Sequence, residues 1–422
     1  MMEASEIEQM KWYPSGIATG LLPKESEFSG FNKFRLSTRW GTSDMYLPES
    51  NPKDENWWRM LTSSSEWWGE KIDLSNSKIE QIDLDGLEWK VVTFAGEVFE
   101  IYSIPLDVAG NSRTLSEIDC TNLLSPIGGL QYNGKDVLIV TPAAKGKSSV
   151  EVMSQMIESS DVDGLNKLGK RIGETLGNFS SSVGKDNHSP NVQRKWNNHL
   201  KKIEDCTKTN TLWRAPHSPE TEGTITHGNL SLENIFVGSN SIEISCRPDY
   251  KVAAIPRSTE NNPSIRDLAT IFVSLNSHLT NLKGLEFEEG MRKEIIQAWS
   301  SKAPKRWSSQ RAFDTHRGGV TIWEYENHLV LLAKSQALGE KVPGPTKDWL
   351  AKVSRLQASM FANRTWSAMS LLCWGSSAII AVLWLNEGVS NIDGLAAIPL
   401  ALIGFKLRKI YNSRARPPWI PL

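Results

Sequence analysis

Near the end of the chain, Trp366 to Leu385 reads WSAMSLLCWGSSAIIAVLWL, a run of 20 residues without a charge. A helix of that length spans roughly 30 Å, the thickness of a hydrocarbon core, and so constrains this region to a membrane or to a protein interior. A second apolar segment follows, Gly394 to Phe405, shorter and carrying Pro399. Lys406, Arg408 and Lys409 can snorkel and let Leu407 and Ile410 lengthen it, so a second span and a re-entrant segment both stay open. The loop between the segments holds Glu387 and Asp393 and no Lys or Arg, whereas Arg364 precedes the first and Arg414 and Arg416 follow the second. The positive-inside rule then places both flanks in the cytoplasm, at the cell membrane. The competing reading is a buried helical hairpin of a soluble domain. Gly, Ser and Ala at helix-facing spacing suit membrane packing better.

The remainder is ordinary globular sequence. With 422 residues, 39% hydrophobic, 23% charged and a net charge of -1, the chain can build two or three units with real cores. No basic excess points to nucleic acid. Cys120, Cys206, Cys246 and Cys373 lie far apart with no CxxC, which suits thiols of a reducing compartment better than a zinc site. The opening residues are polar and acidic, unlike a signal peptide. Two Trp pairs, Trp57-Trp58 and Trp67-Trp68, lie in one segment and suit a core, a partner surface or a bilayer surface.

The stretch Thr226 to Val237 is THGNLSLENIFV. His227, Gly228, Leu230, Asn234 and the strand Ile235-Phe236-Val237 resemble the catalytic loop of the protein-kinase-like superfamily, in its aminoglycoside-phosphotransferase-like branch. The family's Asp is replaced by Asn229. Upstream, residues 78–84, 88–94 and 97–104 alternate like the first three strands of a small lobe, with a hairpin signal at Ala95-Gly96. A short helix is expected over Thr114 to Leu124. Two strands turning at Asn133-Gly134 then lead to a hinge near Thr141 to Ala144, where Thr141 and Ala143 would border a nucleotide. Leu165, Leu168, Ile172 and Leu176 mark an amphipathic helix opening the large lobe. Asp267, in NPSIRDLATIFVSL, takes the place of the carboxylate that braces the catalytic loop.

The resemblance implies an α+β, bilobal protein-kinase-like fold, to which the apolar segments add a C-terminal transmembrane helical hairpin. Residues 1–75 form an extension of unclear fold, 76–144 the small lobe and 145–345 the large lobe. An amphipathic connecting helix (346–365), the hairpin (366–411) and a basic cytoplasmic tail (412–422) complete it.

The resemblance also implies a degenerate site. Asn229 can hydrogen-bond but cannot serve as a base, which leaves His227, Asn229 and Asn234 as a loop without its proton acceptor. The third-strand Lys that holds phosphates would fall near Ser103, where no Lys stands; Lys90 on the preceding strand is either its substitute or an ordinary solvated strand lysine. Glu117 is either that Lys's partner or half of a capping box with Thr114. The Mg²⁺-binding Asp would fall at Cys246 or Arg247, with Asp249 the alternative ligand, and only Gly86 remains of the Gly-rich loop. The expectation is a membrane-anchored pseudokinase acting as regulator or scaffold through a protein partner. The rival is an active, atypical phosphotransferase using ATP, with Mg²⁺ if active.

Overall fold

Turn residues set the first half of the fold. In the computed structural model, residues 4–422 are described apart from 84, 107–110, 185–187, 190–192, 210–221, 240, 250–260, 310–312, 314–318 and 415. After α1 (Ala4–Ile7), strands β1 (Ala18–Lys24), β2 (Phe31–Thr38) and β3 (Gly41–Pro48) form an antiparallel sheet in that order. Helix α2 (Glu55–Thr62) begins where the Asp54 carboxylate accepts the N–H groups of Asn56 and Trp57. Then come β4 (Trp67–Gly69), β5 (Lys78–Gln81), β6 (Glu88–Val92) and β7 (Val98–Ser103), α3 (Ser112–Ser116), β8 (Leu123–Leu124), β9 (Gly128–Tyr132) and β10 (Lys135–Pro142). Six of these strands make one sheet in the order β4-β9-β10-β7-β6-β5. Asn133 and Gly134 turn β9 into β10 with φ of 50° and 74°, as a primed hairpin turn requires.

Two expectations for this half need restating. The helix over Thr114 to Leu124 is only α3, one turn long, and Glu117 is its C-cap rather than the far half of a capping box. The N-terminal segment is also part of the small lobe, because β4 pairs with β9 along Trp67–Gly69. Trp57 and Trp58 are buried with Trp89, Ile101 and Leu138, Trp67 packs against that cluster and Trp68 is itself buried, so the Trp pairs are largely core.

The second half is mostly helical. Short strand β11 (Lys147–Ser148) leads to α4 (Ser149–Glu158) and α5 (Val162–Val183), whose buried stripe includes Leu165, Leu168, Ile172 and Leu176. There follow β12 (His188–Ser189), α6 (Gln193–Thr207), β13 (Gly223–Thr224), β14 (Ile235–Val237) and β15 (Ile242–Ser245). Helices α7 (Ile265–Leu282), α8 (Glu288–Lys302), α9 (Gly319–Leu338) and α10 (Gly344–Ala351) close the large lobe. The N-terminal segment touches both lobes. Tyr46 N–H donates to the Pro105 carbonyl at 2.8 Å, and Gly16 N–H donates to the Ala337 carbonyl at 2.9 Å. A Cβ at Gly16 would lie 2.1 Å from the Gln336 carbonyl oxygen, so only glycine allows this approach.

Helix α11 (Val353–Leu385) leaves the large lobe after a one-residue break at Lys352. The stretch Gly344–Leu385 contains a helix long and apolar enough to cross a membrane. Beyond α12 (Asn391–Leu395), α13 (Ala397–Ser413) runs back antiparallel against it. Ser370 and Ser377 hydroxyls donate to the carbonyls of Gly404 and Ala397, at 3.0 and 2.7 Å. Outward, Leu371, Leu372, Ile379, Leu402 and Phe405 are all more than half exposed. The last residues turn back onto the large lobe: Arg292 donates to the Pro418 carbonyl at 3.4 Å and Lys352 to that of Leu422 at 2.6 Å. Trp419 packs on the large-lobe core.

Candidate active site

The catalytic-loop residues sit on a chain of hydrogen bonds that fixes their direction. His227 is buried; its N–H donates to Asp267 Oδ2 at 3.1 Å and its Nε2 lies 3.1 Å from the Ser245 carbonyl. A carbonyl only accepts, so Nε2 carries the proton, and burial lowers the ring to about 4. Gly228 adopts φ +84°, and a Cβ there would approach Asn111 Nδ2 to 3.0 Å. Asn111 in turn donates to the His227 carbonyl at 3.2 Å. Asp267 is pushed up to about 6 by burial, against the amides of His227 and Gly228 and the charge of Arg266.

Asn229 has a definite task in this chain. Its Nδ2 donates to the Arg247 carbonyl at 2.9 Å, and Asn234 Nδ2 donates to the Asn229 carbonyl at 2.8 Å. An ionised Asp has no N–H to give and would face a carbonyl oxygen with like partial charge. The amide thus ties the loop to the strand end that carries Arg247.

Arg247 itself is held across the lobes. Its Nε and Nη2 donate to Glu100 Oε2 and Oε1 at 3.0 and 2.6 Å, a two-pronged pair with β7. The Tyr102 hydroxyl also donates to Glu100. Burial first, and then the Glu100 carboxylate, push the Tyr102 phenol well above its ordinary value. The side chain that the third strand sends to this point is therefore an acid, with an arginine opposite. The sequence puts Ser103 and Lys90 forward on these strands and gives no sign of Glu100, which is the residue that meets Arg247.

The other expected residues are dispersed. Lys90 pairs with Glu100 in the β6–β7 register, hence on the same sheet face, but is exposed and forms no ion pair among the described residues. Asp249 lies 3.4 Å from Lys334 of α9. Glu117 is exposed at the end of α3. Thr141 is fully buried in β10, and Ala143 N–H donates to the Val98 carbonyl at 2.9 Å. The β5–β6 turn, which would have to cradle phosphates, is occupied by its own side chain. Asp83 Oδ1 accepts the N–H groups of Leu87 and Glu88, both at 2.9 Å.

A cavity of about 310 Å³ opens beside the loop, lined among others by Asn111, Asp136, His227, Asn229, Arg247 and Arg266. Lys90, Thr141 and Ala143 do not line it. The donor set does not fit Mg²⁺: a guanidinium stands where the resemblance would put the metal-binding carboxylate, and Asp249 is paired with a lysine. Among the described residues no cluster of three or more His, Cys, Asp or Glu could hold a metal.

No protein-family model matches the sequence. No curated protein matches it either. Solved structures do. Glucosamine kinase in complex with glucosamine, ADP and inorganic phosphate superposes with a TM-score of 0.52 at 10% identity, covering 82% of this chain and 97% of the other. A second crystal form of glucosamine kinase gives 0.53 at 10% identity, with 81% and 95% covered. The GDP complex of aminoglycoside 2'-phosphotransferase-IIIa reaches 0.36 at 11% identity, over 74% and 99%, too loosely to add to the argument. The chain has the protein-kinase-like fold in the form seen in glucosamine kinase, as its aminoglycoside-phosphotransferase-like loop residues lead one to expect.

Proposed function

We propose that the protein is a membrane-anchored pseudokinase that works as a regulator or scaffold through contacts with a protein partner. The observation that carries this reading is the Glu100–Arg247 pair, which joins the lobes through charges opposite in sign to those that phosphoryl transfer uses at these two places. Glucosamine kinase has been solved with ADP and phosphate, so an adenine nucleotide is the ligand this fold offers. Here its phosphates would meet Glu100 on the third strand and a turn whose amides already bind Asp83. Any nucleotide is held weakly and without Mg²⁺. The anchor reading is supported by the tail: the chain leaves the large lobe in α11 and docks on that lobe again after α13, as a double crossing or a re-entrant segment requires.

Calorimetry of the full chain with ATP and ADP, with and without Mg²⁺, tests the first part. Weak binding that ignores Mg²⁺ is expected, and Asn229→Asp gives no phosphoryl transfer. Tight Mg²⁺-dependent binding, or activity in that variant, would favour the phosphotransferase that uses Lys90, Asp249 and Asn234.

A further inference from the structure

Elsewhere in the molecule three arginines that leave solvent meet carboxylates: Arg247 meets Glu100, Arg266 meets Glu326, and Arg292 meets Glu288 and Glu324. At the base of the two-helix unit, half-buried Arg408 and exposed Arg414 meet no carboxylate among the described residues. Arg408 donates to the Ser367 hydroxyl at 3.1 Å and lies 4.8 Å from the centre of the Tyr411 ring. Arg414 lies 5.0 Å from the centre of the Trp366 ring. Residues 349–386 and 394–422 contain no Asp or Glu, and the acids Glu387 and Asp393 belong to the opposite end of the hairpin. Lys406 and Lys409 are exposed on α13 nearby. A guanidinium held on an aromatic face is ordered while its N–H fork stays free, which suits a phosphate.

Exposed apolar surface begins within a turn of these side chains, at Met369 and Phe405, and continues to Leu372 and Leu402. A soluble anion would leave that surface wet. A lipid covers it with acyl chains and brings its phosphate to the level of Trp366 and Tyr411, where amphipathic rings belong.

We propose that Arg408 and Arg414, with Trp366 and Tyr411, form a headgroup site for a net-anionic phospholipid in the leaflet facing the kinase-like lobes. It rests on the membrane-anchor reading, and two readouts keep the two apart. Flotation of the full chain with phosphatidylcholine vesicles reports anchoring alone. Native mass spectrometry of the purified chain with equal phosphatidylglycerol and phosphatidylcholine of the same acyl chains reports the site. The chain is expected to float with either lipid and to retain phosphatidylglycerol about five-fold or more over phosphatidylcholine, a preference that high salt weakens. Arg408→Gln/Arg414→Gln should float unchanged and lose it. Equal retention by the unaltered chain, or a preference that ignores salt or survives in the double variant, overturns the site and leaves the anchor standing. A chain that floats with neither lipid overturns both.

Discussion

The cleft and the groove that receives the tail meet the same electrostatic difficulty, buried charge, and resolve it differently. In the cleft one acid faces one base: Glu100 is 5% exposed and its two oxygens are filled by Arg247 and Tyr102. In the groove two acids, Glu288 and Glu324, share Arg292, and all three are less than 5% exposed. That leaves one negative charge over. Arg416 of the tail lies half-buried within range of both carboxylates, where burial lowers its pKa and Glu324 opposes the shift. A balanced site has no electrostatic call for a ligand. An unbalanced one recruits a segment from elsewhere in the chain.

The comparison breaks most visibly at Arg292. Arg292→Met strands two carboxylates and should cost about 3–5 kcal/mol, read as a loss in thermal unfolding of the full chain; adding Glu324→Gln should restore part of it. A smaller contrast lies between them in Asp267, a buried acid whose neighbour Arg266 is committed to Glu326. Its folded pKa of about 6 exceeds the ordinary aspartate value of 3.8, so the folded state binds the extra proton between those values. Stability from this group therefore rises as pH falls from about 6 to about 4 and is lost as pH rises through 6, on the order of 3 kcal/mol at most. Asp267→Asn should flatten that part of the melting temperature against pH.

The balanced pair is expected to couple more modestly. A double-mutant cycle with Glu100→Gln and Arg247→Met should return about 1–3 kcal/mol, and a value near zero would show that the lobes are joined by packing alone. Smallest is Arg416→Gln, about 1 kcal/mol because the group is half in solvent. Limited proteolysis should nevertheless cut the tail faster in that variant, and unchanged protection would mean that Trp419 and Pro418 hold the segment without charge.

What could be read beforehand was local. Asn133-Gly134, the alternation of the small-lobe strands, the stripe of α5 and the loop around His227 each declare themselves within a dozen residues, through turn chemistry or periodicity. The shortness of α3 is in keeping with the low helix propensity of Asp119, Cys120, Thr121 and Asn122, after which β8 draws Leu123 and Leu124 into pairing with Ile244 and Ser245. The Glu100–Arg247 pair joins residues 147 positions apart and has no local mark. Asp83 was missed for another reason: counting glycines in the turn asks whether backbone amides can reach a phosphate, not whether a neighbouring carboxylate already has them. Asn229 was legible as a substitution but not as a donor, since its acceptor, the Arg247 carbonyl, exists only in the folded chain.

The break between α10 and α11 is a single residue, Lys352, and that lysine also binds the Leu422 carbonyl. On the anchor proposed above, the body is mounted on the bilayer without a leash. A flexible linker lets a domain sweep a volume whose radius grows as the square root of its length; here that radius is close to zero. The height and tilt of the cleft above the lipid become fixed quantities. A partner confined to the same membrane would search for it in two dimensions, and would succeed only if its own contact surface stands at the matching height.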